Sequence, residues 1–182
     1  MRVIAGSLKG RRLKTPTWEG LRPTSDKLRE TLFNVLGPRV RGARVLDGYA
    51  GTGAIGIEAL SRGAAQATFI DEDRRAAALI AENLAQCAVT KGYVIIRASL
   101  ARGLERLRTD PAFAPFDIIM LDPPYQDSAD AELAAAGEMT TPDGIVVIEH
   151  PRRRPAPASI GRLARQRDLA SGDSALAFYE IV

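Results

Sequence analysis

The stretch RVLDGYAGTGAIG at residues 44–56 decides the fold, because it joins a short apolar run to a glycine-rich loop and then to a helical pattern. Gly51, Gly53 and Gly56 follow the spacing G-x-G-x-x-G, in which the missing side chains let the backbone approach a ligand closely. Asp71 ends the next apolar run, where an acidic side chain can bind ribose hydroxyls. The stretch therefore predicts a strand, a nucleotide-binding loop and a helix, although a tight turn that binds nothing also fits the glycines alone.

Apolar runs and helical patterns alternate from this stretch to residue 148. We expect strands at residues 44–47, 67–70, 93–96, 116–121 and 145–148, and helices at 54–62, 73–86, 100–107 and 129–139. Strands that alternate with helices form a parallel sheet covered on both faces. Residues 162–169 and 175–182 predict two further strands, joined antiparallel by the turn Ser171-Gly172-Asp173. The sequence therefore predicts an α/β, Rossmann-like fold with a mostly parallel seven-stranded sheet and a C-terminal antiparallel hairpin.

Composition places the chain among globular proteins, with 182 residues, 46% hydrophobic and 26% charged. No apolar run approaches the roughly 18 residues of a membrane span, and a single cysteine cannot form an internal disulfide. We therefore expect a cytoplasmic protein without a membrane partner. Residues 1–44 hold 11 basic and 3 acidic residues, a net charge of +8, whereas residues 45–182 have a net charge of −5. This asymmetry favours a polyanionic partner, although a solvated basic segment explains it equally well.

The basic N-terminal segment differs in pattern from the rest of the chain. Residues 1–15 mix apolar residues with Gly6 and Gly10, which predicts a small β arm or hairpin. Residues 23–26 offer several side chains that can cap a helix, whose apolar face would carry Leu28, Leu32 and Leu36. We therefore expect a basic arm at residues 1–22 and one globular domain at residues 23–182.

Asp47 argues against a dinucleotide ligand. Its carboxylate lies at the end of the first strand, beside the loop where a pyrophosphate would bind, and would repel it. The position suits a ligand with a positive end instead. S-adenosylmethionine has an ammonium group and a sulfonium, together with a ribose for Asp71.

The sequence Asp122-Pro123-Pro124-Tyr125 follows the fourth predicted strand, at the sheet edge where open α/β sheets bind ligands. Two prolines fix the backbone and remove two N–H donors, which leaves carbonyl groups to accept hydrogen bonds. A carboxylate and a carbonyl on such a turn can hold both hydrogens of an exocyclic amine, and Tyr125 offers a face for base stacking. A plain proline turn is the alternative interpretation.

These two motifs resemble those of class I S-adenosylmethionine-dependent amino-methyltransferases. The segments MRVIAG (1–6), KGRRL (9–13), RPTSD (22–26) and GIEALSRGA (56–64) resemble the RsmD family, which methylates guanine N2 in bacterial small-subunit (16S) ribosomal RNA. The resemblance covers nearly the whole chain and thins after residue 150. It implies S-adenosylmethionine as cofactor and 16S rRNA as partner. We expect no metal ion, because the sulfonium already activates the methyl group. The exposed arm favours RNA assembled in the small subunit as substrate, and we expect a monomer because nothing in the sequence requires more.

The resemblance also implies roles for individual residues. The catalytic set is Asp122, Pro123, Pro124 and Tyr125. The cofactor-binding set is Asp47, Ala50, Gly51, Thr52, Gly53, Asp71, Glu72, Ser99 and Leu100. The residues expected to bind RNA phosphates are Lys9, Arg11, Arg12, Lys14, Arg22, Lys27 and Arg29. Two positions depart from the family: Ser99 replaces the usual Asp or Asn near the adenine amine, and Gly48 replaces a bulkier residue.

Three other functions fit part of the pattern. An adenine-N6 methyltransferase acting on DNA or other RNA uses the same turn, but usually carries a separate target-recognition region. A non-catalytic RNA-binding assembly factor would explain the basic segment but not the intact Asp122. A nicotinamide-dependent oxidoreductase is disfavoured by Asp47 and by the lack of a second domain.

Overall fold

One mixed sheet organises the protein, whose computed structural model describes residues 1–18, 25–124 and 129–182. The strands are β1 (Arg44–Gly48), β2 (Gln66–Asp71), β3 (Tyr93–Arg97), β4 (Phe116–Leu121), β5 (Thr140–Pro151), β6 (Ser159–Ile160), β7 (Leu163–Ser171) and β8 (Ser174–Ile181). The helices are α1 (Asp26–Leu36), α2 (Ala54–Ser61), α3 (Arg74–Gln86), α4 (Leu100–Arg108) and α5 (Asp130–Glu138), with a short 3₁₀ turn at Gly37–Val40. Within the described ranges, no helix combines the length and the apolar character needed to cross a membrane.

The strands lie in the order β3-β2-β1-β4-β5-β8-β7-β6. The first five are parallel to their neighbours, while β8 pairs antiparallel with β5 and β7 pairs antiparallel with β8. The predicted class I methyltransferase fold, with its mostly parallel sheet and C-terminal hairpin, is thus confirmed. Two details differ: β5 begins five residues earlier than predicted, and β6 adds an eighth strand. A strand of two residues is too short to produce an alternating pattern in the sequence.

Side chains alternate between the two faces of the sheet, as the pleat of a strand requires. Leu46 and Ile119 pack with Leu133 of α5 on one face, in a cluster that also contains α4. Val45 and Ile118, their chain neighbours, pack with α1 and α2 on the other face. Because both faces are buried, the strands are continuously apolar, which explains why the sequence showed them clearly.

Residues 1–13 form a minimal hairpin, the N-terminal hairpin, which packs on helices α2 and α3. The Val3 amide donates to the Arg11 carbonyl at 2.9 Å, and a single antiparallel bridge joins the two short arms of the hairpin. Val3 and Leu13 are buried against Ile57 of α2 and Leu84 of α3. The basic residues of this segment therefore sit on a fixed scaffold.

Glu58 of α2 anchors the hairpin from inside the protein. Its buried carboxylate accepts hydrogen bonds from the amides of Ile4, at 2.7 Å, and Ala5, at 3.0 Å. Gly6 then turns with φ +82°, and a Cβ there would lie 1.9 Å from the Ser61 carbonyl oxygen. Only glycine fits this contact, because the turn presses directly on the end of α2.

Candidate active site

Three carboxylates converge at the carboxyl edge of the parallel strands. Asp47 is the penultimate residue of β1, Asp71 is the last residue of β2, and Asp122 directly follows β4. Since β1 lies between β2 and β4, the sheet brings these residues to one place. Open α/β sheets bind ligands at this edge, so the geometry assembles the site that the two motifs predicted separately.

Asp47 is the most perturbed of the three. Its side chain is 2% exposed, and Oδ2 accepts a hydrogen bond from the Gly56 amide at 2.9 Å. Burial raises the pKa of Asp47 to about 8; the Gly56 hydrogen bond opposes this shift, while the charges of Asp122 and Asp71 add to it. In the absence of a ligand the group is therefore mostly neutral at pH 7.

A cation would relieve the unfavourable environment of Asp47. No ion pair reaches its carboxylate from any residue in the described part of the chain. A buried carboxylate beside two others gains more from a positive ligand than from a neutral one. The ammonium group and sulfonium of S-adenosylmethionine supply that charge, so the residues present fit the predicted cofactor.

Asp71 fastens the glycine-rich loop. Its Oδ2 accepts from the Gly51 amide at 2.8 Å, and its Oδ1 accepts from the Asp73 amide at 2.9 Å. Gly51 and Gly53 have φ angles of 54° and 73°, a region that favours glycine. Each carboxylate oxygen can accept more than one hydrogen bond, so Asp71 retains capacity for ribose hydroxyls.

The remaining predicted cofactor residues surround this loop at different depths. Ala50 and Thr52 are buried within it, Leu100 is buried at the start of α4, and Ser99 precedes that helix as its half-buried cap residue. Glu72, in contrast, is exposed.

Gly48, the second departure from the family, has a packing explanation. A Cβ at this position would lie 2.7 Å from Leu121 Cδ2 and 3.1 Å from Leu100 Cδ1. The two leucines occupy the volume that a larger residue would need. The packing of Leu121 and Leu100 therefore leaves room only for a glycine at position 48.

The Asp122 turn is tied to the glycine-loop strand. The Asp122 amide donates to the Gly48 carbonyl at 3.3 Å, which connects the end of β4 to the end of β1. Pro123 is buried and Pro124 is exposed. Tyr125 lies outside the described residues.

The residues predicted to bind RNA divide into three groups. Lys9, Arg11, Arg12 and Lys27 are exposed on the hairpin and on α1, with their side chains turned to solvent. Lys14 is also exposed and forms an ion pair with Glu82 at 2.8 Å. Arg22 lies outside the described residues.

Arg29 corrects the sequence-based assignment, because its side chain is completely buried. It donates to the Arg2 carbonyl at 2.8 Å and to Asp26 Oδ1 at 2.7 Å, and its other terminal nitrogen lies 3.8 Å from Glu58. The expectation that it binds phosphate is therefore wrong. Its spacing of three, four and seven residues from Leu32, Phe33 and Leu36 already placed it on the buried face of α1.

Asn83 is a structurally central residue that sequence reasoning missed. Its side-chain oxygen accepts from the Lys14 amide at 2.7 Å, and its nitrogen donates to the carbonyls of Lys14, at 3.2 Å, and Thr52, at 3.0 Å. It lies fully buried in the apolar stripe of α3, beside Leu84. A polar residue inside such a stripe was the available signal, because a buried amide needs partners.

Similar proteins were found over the full length of the chain. Residues 1–180 match the family described as Conserved hypothetical protein 95. The protein YlbH of Bacillus subtilis is 38% identical over 183 residues, which are 99% of this chain and 98% of YlbH. Ribosomal RNA small subunit methyltransferase D of Haemophilus influenzae is 35% identical over 160 residues, covering 85% of this chain and 81% of that protein.

A solved structure agrees with these matches. The structure of yhhF from Escherichia coli superimposes with a TM-score of 0.83 at 32% identity, covering 100% of this chain and 97% of yhhF. The similarity therefore includes the N-terminal hairpin as well as the sheet.

Proposed function

This chain belongs to the RsmD family, the one described as Conserved hypothetical protein 95, and we propose that it transfers a methyl group from S-adenosylmethionine to a guanine N2 amine in 16S ribosomal RNA. The convergence of the Asp47, Asp71 and Asp122 carboxylates at one sheet edge is the observation that carries the proposal. The name of the Haemophilus relative supports small-subunit ribosomal RNA as the substrate class.

Asp47 and Asp71 bind and orient the cofactor in this proposal. When bound, S-adenosylmethionine supplies a methyl group that its sulfonium has already activated for transfer. Asp47 pairs with the ammonium end, and Asp71 accepts from the ribose hydroxyls while it holds the Gly51 amide. We propose that Ser99, the residue that precedes α4, contacts the adenine.

Asp122 positions the acceptor amine. A guanine N2 amine has two hydrogens, which donate to the Asp122 carboxylate and the Pro123 carbonyl and leave the nitrogen lone pair free to accept the methyl group. The surplus proton of the methylated amine passes to the Asp122 carboxylate, which gives the neutral product. Pro124 has no N–H that could compete for these acceptors. Tyr125 stacks on the base, which must leave its helical stack to enter the site. Positioning and electrostatics then supply most of the rate enhancement.

The exposed basic residues of the hairpin bind the substrate backbone. Lys9, Arg11 and Arg12 contact phosphates, so affinity falls as salt rises. We further propose that the substrate is 16S rRNA within the small subunit and that the enzyme acts as a monomer in the cytoplasm.

Methyl transfer from labelled S-adenosylmethionine to small subunits that lack the modification tests the proposal. We expect N2-methylguanosine after digestion of the RNA to nucleosides. N6-methyladenosine would instead assign the adenine-N6 reaction. Absence of transfer to subunits, naked 16S rRNA and DNA, despite measurable cofactor binding, would reject the catalytic assignment in favour of a non-catalytic RNA-binding role.

A further inference from the structure

Three consecutive arginines, Arg152, Arg153 and Arg154, follow β5 at the same sheet edge as the active site. In the β4–β5 pair, Leu121 lies opposite Ile148, so Asp122 is one residue past this pair and the arginines begin four residues past it. At about 3.3 Å per residue, the loop projects roughly 10 Å beyond Asp122 along the strand direction. The three arginines thus form a rim beside the entrance to the site.

The backbone of this loop is held in place. The Arg152 amide donates to the Asp173 carbonyl at 2.8 Å, and the Arg154 amide donates to the Pro151 carbonyl at 2.9 Å. His150 Nδ1 contacts the Arg154 carbonyl at 3.2 Å, while its Nε2 contacts Asp168 at 3.1 Å. Further along the loop, the buried Tyr179 hydroxyl donates to the Pro157 carbonyl at 2.6 Å. These hydrogen bonds therefore hold the backbone of the rim in one conformation.

In the described part of the chain, the guanidinium groups of the rim form no ion pair with a carboxylate. All three side chains are exposed. Asp168 of β7 is already engaged by His150 and Arg165, and Asp173 contacts the loop through its backbone carbonyl. A fixed backbone that presents three unneutralised charges suits a polyanionic partner.

We propose that Arg152, Arg153 and Arg154 bind phosphates of the substrate RNA on the side of the active site opposite to the N-terminal hairpin. The inference rests on the proposed function and adds a second contact surface to it. The hairpin packs on α2 and α3, which adjoin β1 to β3, whereas the rim follows β5, on the other side of β4. Between these two surfaces lie the carboxylates of Asp71 and Asp122, whose negative charge disfavours phosphates at the centre of the site.

A charge-matched pair of triple variants tests the rim. The first is R152Q/R153Q/R154Q, which keeps the backbone hydrogen bonds of the loop. The control, R41Q/K91Q/R106Q, removes the same charge from exposed residues that lie before β1, before β3 and late in α4, towards the opposite edge of the sheet. Binding to small subunits that lack the modification is measured by co-sedimentation of the protein with the subunits across a salt series, separately from methyl transfer.

We expect the rim variant to bind subunits at least tenfold more weakly at low salt. Its plot of log affinity against log salt should be less steep by about 2, because each neutralised phosphate contributes about 0.7–0.9 to the slope. The control should keep the wild-type slope, and both variants should keep the wild-type affinity for S-adenosylmethionine, which reports the fold.

Equal losses in the two variants, or an unchanged slope in the rim variant, would overturn the inference and leave the proposed function standing. If the wild-type protein binds subunits without transferring a methyl group, the proposed function fails. In that case, the comparison of the rim variant with its control still shows whether the three arginines bind RNA. Single substitution R153Q, expected to reduce the slope by about 0.7–0.9, repeats the test with the smallest possible change to the loop.

Discussion

The side-chain amide of Asn83 donates a hydrogen bond to the carbonyl oxygen of Thr52 at 3.0 Å. The same side chain accepts from the Lys14 amide, so one buried residue of α3 joins the basic hairpin to the cofactor loop. One buried carboxamide therefore contacts both the surface that RNA is proposed to use and the loop that the cofactor is proposed to use.

Asn83→Asp should keep the hydrogen bond to the Lys14 amide and remove the hydrogen bond to the Thr52 carbonyl. Aspartate still accepts from the Lys14 amide, but it cannot donate to the carbonyls of Thr52 and Lys14 and places negative charge against them. We expect the free energy of unfolding to fall by about 1–3 kcal/mol, with weaker binding of S-adenosylmethionine. Urea denaturation and calorimetric titration measure the two effects.

Gln86→Ala is the matched control for Asn83. Gln86 also bonds the hairpin, through its side-chain nitrogen and the Arg12 carbonyl at 2.9 Å, but it is exposed to solvent. Water replaces that bond, so the loss should stay below about 1 kcal/mol. Equal losses in both variants would show that Asn83 has no special role in the connection.

The raised pKa of Asp47 should make the stability of the cofactor-free protein depend on pH. Below about pH 4 the group is neutral in both the folded and the unfolded chain. Between about pH 4 and pH 8 the unfolded chain ionises it while the folded protein keeps it neutral, so stability falls by up to about 1.4 kcal/mol per pH unit. Asp47→Asn should remove this slope and unfold at higher urea than the wild type at pH 8.

The same substitution should weaken the binding of S-adenosylmethionine by about 10- to 100-fold, because the charge that pairs with the ammonium group is lost. Binding to the wild-type protein at pH 7 should release close to one proton, since the cation stabilises the ionised carboxylate. Calorimetry in buffers of different ionisation enthalpy counts that proton. A wild-type protein that releases none would contradict the proposed role of Asp47.

Asp122→Ala should remove most methyl transfer, by a factor of about 100 or more, while cofactor affinity stays within a few-fold of wild type. The reason is that Asp122 is proposed to hold the acceptor amine, whereas Asp47 and Asp71 hold the cofactor. Asp143→Ala, at an exposed carboxylate in the amino-terminal half of β5, is the control and should be fully active. Substantial turnover by the Asp122 variant would reject this mechanism.

Arg29→Met should act on stability and not on RNA contact. Removing the guanidinium leaves the buried Glu58 with fewer cationic neighbours, and we expect the free energy of unfolding to fall by about 3 kcal/mol. Arg12→Gln, at an exposed position, should leave stability within about 0.5 kcal/mol and reduce the salt dependence of RNA binding instead. Denaturation and salt-series binding of both variants distinguish these outcomes.

The sequence predicted the sheet well because both faces of β1 and β4 are buried, which makes the strands stand out as apolar runs. It also predicted that Asp47, Asp71 and Asp122 would meet, because the carboxyl ends of parallel strands share one edge. Arg29 was assigned wrongly because its charge suggested a phosphate contact, whereas its spacing from Leu32 and Leu36 placed it on the buried face of α1. Asn83 was missed because its partners lie 69 and 31 positions away in the chain.

The anchoring of the hairpin also sets the order in which the protein can fold. Ile4 bonds to Glu58 of α2 across 54 residues and Lys14 bonds to Asn83 of α3 across 69, so the docking of the hairpin cannot be completed until α3 has been made. At about 5–20 residues per second, translation of the 69 intervening residues takes roughly 3–14 s. During that time the basic segment lacks its contacts with α3. The surface proposed to bind RNA is therefore synthesised early, but it acquires its last contacts late. Asn83 of α3 supplies those contacts to the hairpin and to the cofactor loop at the same time.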